Sequence, residues 1–206
     1  VTGSAARAPW LFARSARFAV AAAAGAELIR ALKVRAHLLR PSTASASESG
    51  RVSMIYAYVM TAAIVLFPVW FARCRADAEF LSPGRVRGSA AWAVLAWLIP
   101  GVDFWAPRGL LLDVGRASRS AGTGPDRADV LVNAWSAAWV GHAVLSLVST
   151  RVGDGTSMPL LVAAQALDLL AAGPAVTLIE GITRRQADGP RSAVPLSAPA
   201  GLPHAP

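Results

Sequence analysis

The segment from Val52 to Phe71, VSMIYAYVMTAAIVLFPVWF, carries no charged side chain over twenty residues. At 1.5 Å per residue a helix of that length matches a hydrocarbon core about 30 Å thick. Tyr56 and Tyr58 stand toward one end and Trp70 at the other, where amphipathic rings sit at a membrane–water interface. A chain holding such a segment has few options, because every backbone group inside a bilayer must be hydrogen-bonded within the protein. Composition agrees: only 16% of the residues are charged and mean hydropathy is +0.46, against roughly 25% charged residues in a soluble domain. The expected architecture is all-α, a polytopic membrane helical bundle.

Three further apolar blocks complete the set of full spans, at about 10–30, 130–150 and 157–181. The first is Ala-rich; residues 21–25 offer a small-residue surface for a neighbouring helix, and Glu27 and Arg30 are spaced to pair. It follows arginines as a signal peptide would but has no clear cleavage point, so it reads as a first span or signal anchor. The following stretch from Lys33 to Arg51 is basic, then Ser-rich, and reads as a solvated loop. The tail 186–206 is rich in Pro, Ala and Ser and is expected to be disordered, leaving 1–185 as one membrane domain.

Residues 89–119 do not fit a simple span. SAAWAVLAWLIP supplies about a dozen apolar residues, roughly 18 Å of helix, before Pro100. After GVDFWAP a second helix opens with Pro107 in its first turn. Leu110, Leu111, Val114 and Ala117 lie along one side of it, and Arg116 and Arg119 along another, an amphipathic pattern. Arg73, Arg75, Arg85 and Arg87 precede this unit and Arg116, Arg119 and Arg127 follow it, so loop charge places both of its ends in the cytoplasm. Four full spans plus a Pro-broken re-entrant or interfacial helix pair satisfy that distribution, with the C-terminus cytoplasmic beside Arg184 and Arg185. The basic stretch from Arg30 to Arg40 then falls on the wrong side, unless the first helix extends past the bilayer or segment 89–106 crosses and makes five spans.

The net charge of +8 rests on nineteen arginines and Lys33. No nucleic-acid motif accompanies it, and the expected partners are anionic lipid, membrane proteins or a second copy of the chain. Cys74 is the single cysteine, which excludes an intrachain disulfide and a cysteine metal cluster. His37, His142 and His204 lack ligand spacing, so neither metal nor cofactor is expected.

Three aspartates are candidate acids or ligands. Asp168 lies mid-span with Gln165 on the same face, and an ionised carboxylate there is costly unless paired or protonated. His142, on the face of Trp135 and Trp139, is its candidate partner. Asp103 sits in the break, suited to cap the next helix or to pair with Arg108. Trp97, Trp105 and Arg108 could form with it an aromatic–basic contact for a ligand or lipid headgroup. Asp113 completes the acidic set.

The middle of the chain resembles the actinobacterial membrane proteins grouped as domain of unknown function 4328. The likeness rests on Trp97 to Pro100, Trp105 to Pro107, Asp113, RAS at Arg116 to Ser118, SP at Ser82 and Pro83, NAWSAAW in the following span, and ITRRQ at Ile182 to Gln186. It spans about residues 52–187. Departures fall at Ala134–Trp135, where the family often has a Trp pair, and near Ala76 to Ala78, where it has an Asn-type residue. The resemblance implies an integral membrane protein of an actinobacterial-type envelope and adds no chemistry. With no nucleophile loop, zinc-protease motif or phosphate loop in the sequence, the expected function is a non-enzymatic scaffold or sensor. A small membrane enzyme acting on a lipid or isoprenoid, and a proton-coupled channel or transporter, are the alternatives.

Overall fold

The structure, a computed structural model, describes residues 10–118, 127–152 and 154–192. Its described elements are all helical: α1 (Trp10–Leu39), α2 (Thr43–Leu81), α3 (Ala90–Leu95), a 3-10 turn (Val102–Phe104), α4 (Ala106–Ala117), α5 (Arg127–Ser149) and α6 (Asp154–Ser192). Three of the helices, at Thr43–Phe80, Arg127–Ser149 and Met158–Asp188, are long and apolar enough to cross a membrane. α1 is long enough but less apolar, since it carries Arg14, Arg17, Glu27 and Arg30 within its first twenty-one residues.

Several boundaries differ from the sequence-based expectation. α1 does not stop near residue 30 but continues to Leu39, and the Ser-rich stretch is helix rather than loop. Ser42 caps α2: its side chain accepts from Ser45 N–H at 3.1 Å while Ser45 Oγ accepts from Ser42 N–H at 3.0 Å. This reciprocal box satisfies orphan donors at the helix start and lets polar residues begin a helix. The resulting turn is held by Lys33–Glu48 at 2.7 Å and His37–Ser45 at 2.8 Å. The hydrogen bond from Lys33 holds the Glu48 carboxyl below its ordinary range. At 39 residues α2 is about 58 Å long, so its Ser-rich start extends well beyond a hydrocarbon core. α6 likewise begins at Asp154 and runs through Ser192, past the expected start of a disordered tail at 186; residues 193–206 lie outside the described set.

α1 packs against α2 and α6, and α6 against α5, while α2 and α5 barely meet. The small residues that α1 buries are Ala13, Ala16, Ala19 and Ala23, a stripe at helical spacing, whereas Ala21 and Gly25 of the anticipated block face outward. On α5, a Cβ at Gly141 would stand 2.8 Å from Leu167 Cδ1, so the missing side chain permits the close approach to α6.

The gap between α2 and α5 is closed by the broken pair. Arg75, buried on α2, donates from Nη1 to the Arg87 carbonyl at 2.9 Å and from Nη2 to the Gly88 carbonyl. This fixes the approach to α3, whose start is capped by Ser89 accepting from Trp92 N–H at 3.1 Å. α4 returns beside α5, with Arg108 Nε donating to Asn133 Oδ1 at 2.8 Å and Arg116 lying 3.8 Å from Asp129. The excursion ends where it began: Ser82 Oγ donates to the Ala117 carbonyl at 3.0 Å. Gln186 of α6 ties the same point, donating from Nε2 to the Cys74 carbonyl at 2.7 Å and to Ser118 Oγ at 3.2 Å. Nearby, Trp70 Nε1 donates to Thr183 Oγ1 at 3.1 Å. α4 buries Leu110, Leu111, Val114 and Ala117 and exposes Arg116, as its pattern predicts, while Arg119 lies outside the described residues.

Replacing Arg75 by Met removes two charge-assisted hydrogen bonds and leaves two carbonyls without that donor. Thermal denaturation of the detergent-solubilised protein should show a loss on the order of 2 kcal/mol. Arg85→Met, at an exposed position in the same loop, should leave the midpoint within about 0.5 kcal/mol of wild type.

Candidate functional site

The tip of the broken pair enters the bundle. Trp97 packs against Phe67, Phe71 and Trp135 with ring centroids 4.9, 5.6 and 5.7 Å apart, and Phe67 in turn meets Trp70 at 5.2 Å and Trp135 at 6.4 Å. Trp135 is eight residues along α5 from Arg127, about 12 Å. This aromatic layer bridges the two helices that otherwise stand apart. Aromatic pairs at such spacings contribute about 0.5–1.5 kcal/mol beyond burial alone. The indole N–H of Trp97 is buried without a hydrogen-bond partner.

Beside this layer lies a cleft of about 140 Å³ whose wall includes residues of all four long helices and of the tip. Small residues make the space: Ala23 and Ala24 from α1, Ala63 from α2, Ala171, Ala172 and Ala175 from α6. Trp97, Trp135 and Trp139 supply the aromatic wall, and Asp103 and Asp168 line it as carboxylates.

Of the anticipated residues, the structure therefore unites Trp97, Asp103 and Asp168. It separates the others. Trp105 points away and is 65% exposed, and Arg108 is engaged with Asn133, so the expected aromatic–basic contact of Trp97, Trp105 and Arg108 does not form. Asp103 neither caps α4 nor bonds Arg108; its Oδ1 accepts from Gly101 N–H at 2.9 Å. Gly101 has φ +88°, a left-handed conformation open to glycine, and Asp103 two residues on closes that turn. Asp113 is half-buried on α4 and outside the cleft wall, so the proposed three-carboxylate set reduces to two. Gln165 is half-buried on α6 and is also outside that wall.

His142 lies beside Trp139, ring centroids 6.1 Å apart, and its Nδ1 donates to the Ala164 carbonyl at 2.9 Å. A carbonyl can only accept, so that nitrogen carries the proton and Nε2 is the one left for other contacts. Ala164 is one helical turn before Asp168, and His142 interacts electrostatically with that carboxylate, as do Glu27 and Arg30. Glu27 is fully buried, and both its oxygens receive Arg30 at 2.6 Å, with the guanidinium 4.8 Å from the Tyr56 ring centroid. The spacing of Glu27 and Arg30 announced their pairing. Their proximity to Asp168, five helices later in sequence, had no local signal.

The family model for a domain of unknown function, DUF4328, matches residues 35–184. This chain belongs to the DUF4328 family. The match takes in α2 through most of α6 and reaches back into the end of α1, further than the resemblance read from residues 52 onward. No curated protein and no solved structure matches the chain. Within this DUF4328 chain, five of the residues on which the resemblance rests, Ser82, Trp97, Pro107, Ser118 and Gln186, belong to the broken pair or to its anchors, while NAWSAAW lies on α5.

The orphaned indole N–H gives a test of the aromatic layer. Trp97→Phe removes an unpaired donor while keeping a ring, so its thermal midpoint should equal or exceed that of wild type. Trp97→Ala should cost about 3–5 kcal/mol through the cavity it opens. Equal losses in both variants would show that the indole makes a contact a phenyl ring cannot replace.

Proposed function

We propose that the protein is a multi-pass protein of the cell membrane that retains a small amphiphile at its centre and acts as a sensor or scaffold rather than as an enzyme. The observation that carries this reading is the cleft: a largely apolar and aromatic wall with two carboxylates, built from every long helix and closed by the broken pair. Such concave sites with few convergent polar groups are where small molecules bind. The contacts of the cleft with α1, α2, α5 and α6 mean that an occupant would alter how the helices sit against one another, which is what sensing requires.

In this reading 1–185 is one membrane domain with four spans, α1, α2, α5 and α6, and the broken pair enters from the cytoplasmic side and returns to it. Arg73, Arg75, Arg85, Arg87, Arg116, Arg127, Arg184 and Arg185 support that orientation. The C-terminus is then cytoplasmic. Exposed Phe18, Leu32, Met54, Tyr58 and Leu170 suit lipid, a partner membrane protein or a second copy.

Two measurements test the proposal. In a Cys74→Ala background, Arg151→Cys should react with an impermeant thiol reagent from outside intact cells, Gly84→Cys only after the membrane is opened, and Phe104→Cys from neither face. Labelling of position 104 from the side opposite to positions 84 and 151 would mean that 89–106 crosses, giving five spans. Separately, native mass spectrometry of the purified protein should release a chemically unaltered small amphiphile. Its conversion to product by wild type, lost in Asp168→Asn, would replace the sensor reading with an enzymatic one.

A further inference from the structure

Resting on the reading of the cleft as a ligand site, the charge of its wall says more about the occupant. Asp103 and Asp168 reach the cleft from different elements, the tip of the broken pair and α6. Asp103 spends one oxygen on Gly101 N–H, and no second hydrogen bond to the side chain is present among the described residues. The charged and titratable groups near Asp168 are Glu27, Arg30, His142 and Tyr56. Arg30 is the fixed cation among them, and Glu27 already binds it through two hydrogen bonds. Those two charges offset each other. Among the described residues that line the cleft, Asp103 and Asp168 are the acidic side chains, and no Lys or Arg stands beside them in the wall.

The remaining wall is suited to the same sign of ligand. Indole rings carry negative electrostatic potential on their faces and attract organic cations, quaternary ammonium groups above all; three of them, Trp97, Trp135 and Trp139, line this space. A cavity of about 150 Å³ accommodates benzene, so about 140 Å³ here admits a compact alkylammonium head. Ile64 lines the cleft and is also 43% exposed on α2, so the space communicates with the outer surface of the bundle. A hydrocarbon tail leaving past Ile64 runs along the outer face of α2, where Val65 and Val69 are also exposed.

We propose that the cleft binds a cationic single-chain amphiphile, its ammonium head between Asp103 and Asp168 against the tryptophan wall and its tail leaving beside α2. Anionic and neutral amphiphiles with the same chain lack the matching charge and bind more weakly.

The test uses the full chain in nanodiscs of neutral lipid, with intrinsic tryptophan fluorescence corrected against empty discs. Dodecyltrimethylammonium, dodecyl sulfate and dodecyl maltoside serve as probes of one chain length. The ammonium probe should give a saturable signal, at least tenfold tighter than either of the others. Asp103→Asn/Asp168→Asn should weaken it at least tenfold while leaving dodecyl maltoside unchanged, and Ala172→Phe should abolish it by filling the space. Asn keeps the acceptor that Gly101 needs; should the double variant not fold, either single substitution should still give a measurable part of the loss. Equal saturable binding of all three probes, or ammonium binding indifferent to the carboxylates, overturns the cationic assignment and leaves the wider ligand-holding reading intact. No saturable signal from any probe, or signals unaffected by Ala172→Phe, overturns both.

Discussion

A polypeptide that turns round against an apolar bundle must satisfy its own backbone, because an unpaired group removed from water costs several kcal/mol. The broken pair meets this requirement residue by residue. From Ala96 to Trp105 every backbone N–H has an acceptor. Ala96 through Ile99 and Val102 through Trp105 bond to carbonyls three or four residues back, Gly101 bonds to Asp103, and Pro100 has no N–H to satisfy. The two prolines are therefore not simply helix breakers: one supplies a residue with no donor at the tightest point, and Pro107 does the same in the first turn of α4. With the turn self-sufficient, the tip can lie against aromatic rings and fill the gap between α2 and α5.

The position of the tip depends on its base. Arg75, Ser82, Ser118 and Gln186 bring the ends of the excursion together through side chain–backbone and side chain–side chain hydrogen bonds. Each bond is modest, but they fall on adjacent residues, Cys74 beside Arg75 and Ala117 beside Ser118, so α2, α4 and α6 converge on one base. The likeness read from the sequence includes Ser82, Ser118 and Gln186 of this base and Trp97 at the tip, and the family match over 35–184 takes in the cleft residues of α2, α5 and α6 as well.

Much of this was legible in the sequence because it follows from local rules. The uncharged run 52–71, the short helix before Pro100, the amphipathic face of α4 and the Glu27–Arg30 pair all depend on spacing within one element. The losses came where a residue serves two purposes. Asp103 in a break suggested a helix cap, but the left-handed Gly101 two residues earlier had the stronger need for an acceptor. Serines 42, 45, 47 and 49 suggested loop, yet a capping box turned them into the start of α2. Trp97 and Trp105 looked equivalent by type, and opposite sides of the turn gave them opposite surroundings. Arg75 and Gln186 were unreadable as anchors because their partners lie at 87–88, 74 and 118, and polar spacing within a helix does not reveal contacts between helices.

The composition of α1 bears on how the chain is built into a bilayer. Its buried stripe of alanines contributes close contact but little transfer free energy, and it carries ionic side chains at both ends of the candidate span. Two of its charges are answered by Arg30 bonding Glu27 within the helix, but Arg17 is answered by Glu180, far along α6 and 3.2 Å away. The partner that neutralises the beginning of the first helix is thus made last. The first helix and the last are joined by a contact that a chain cut before Glu180 lacks.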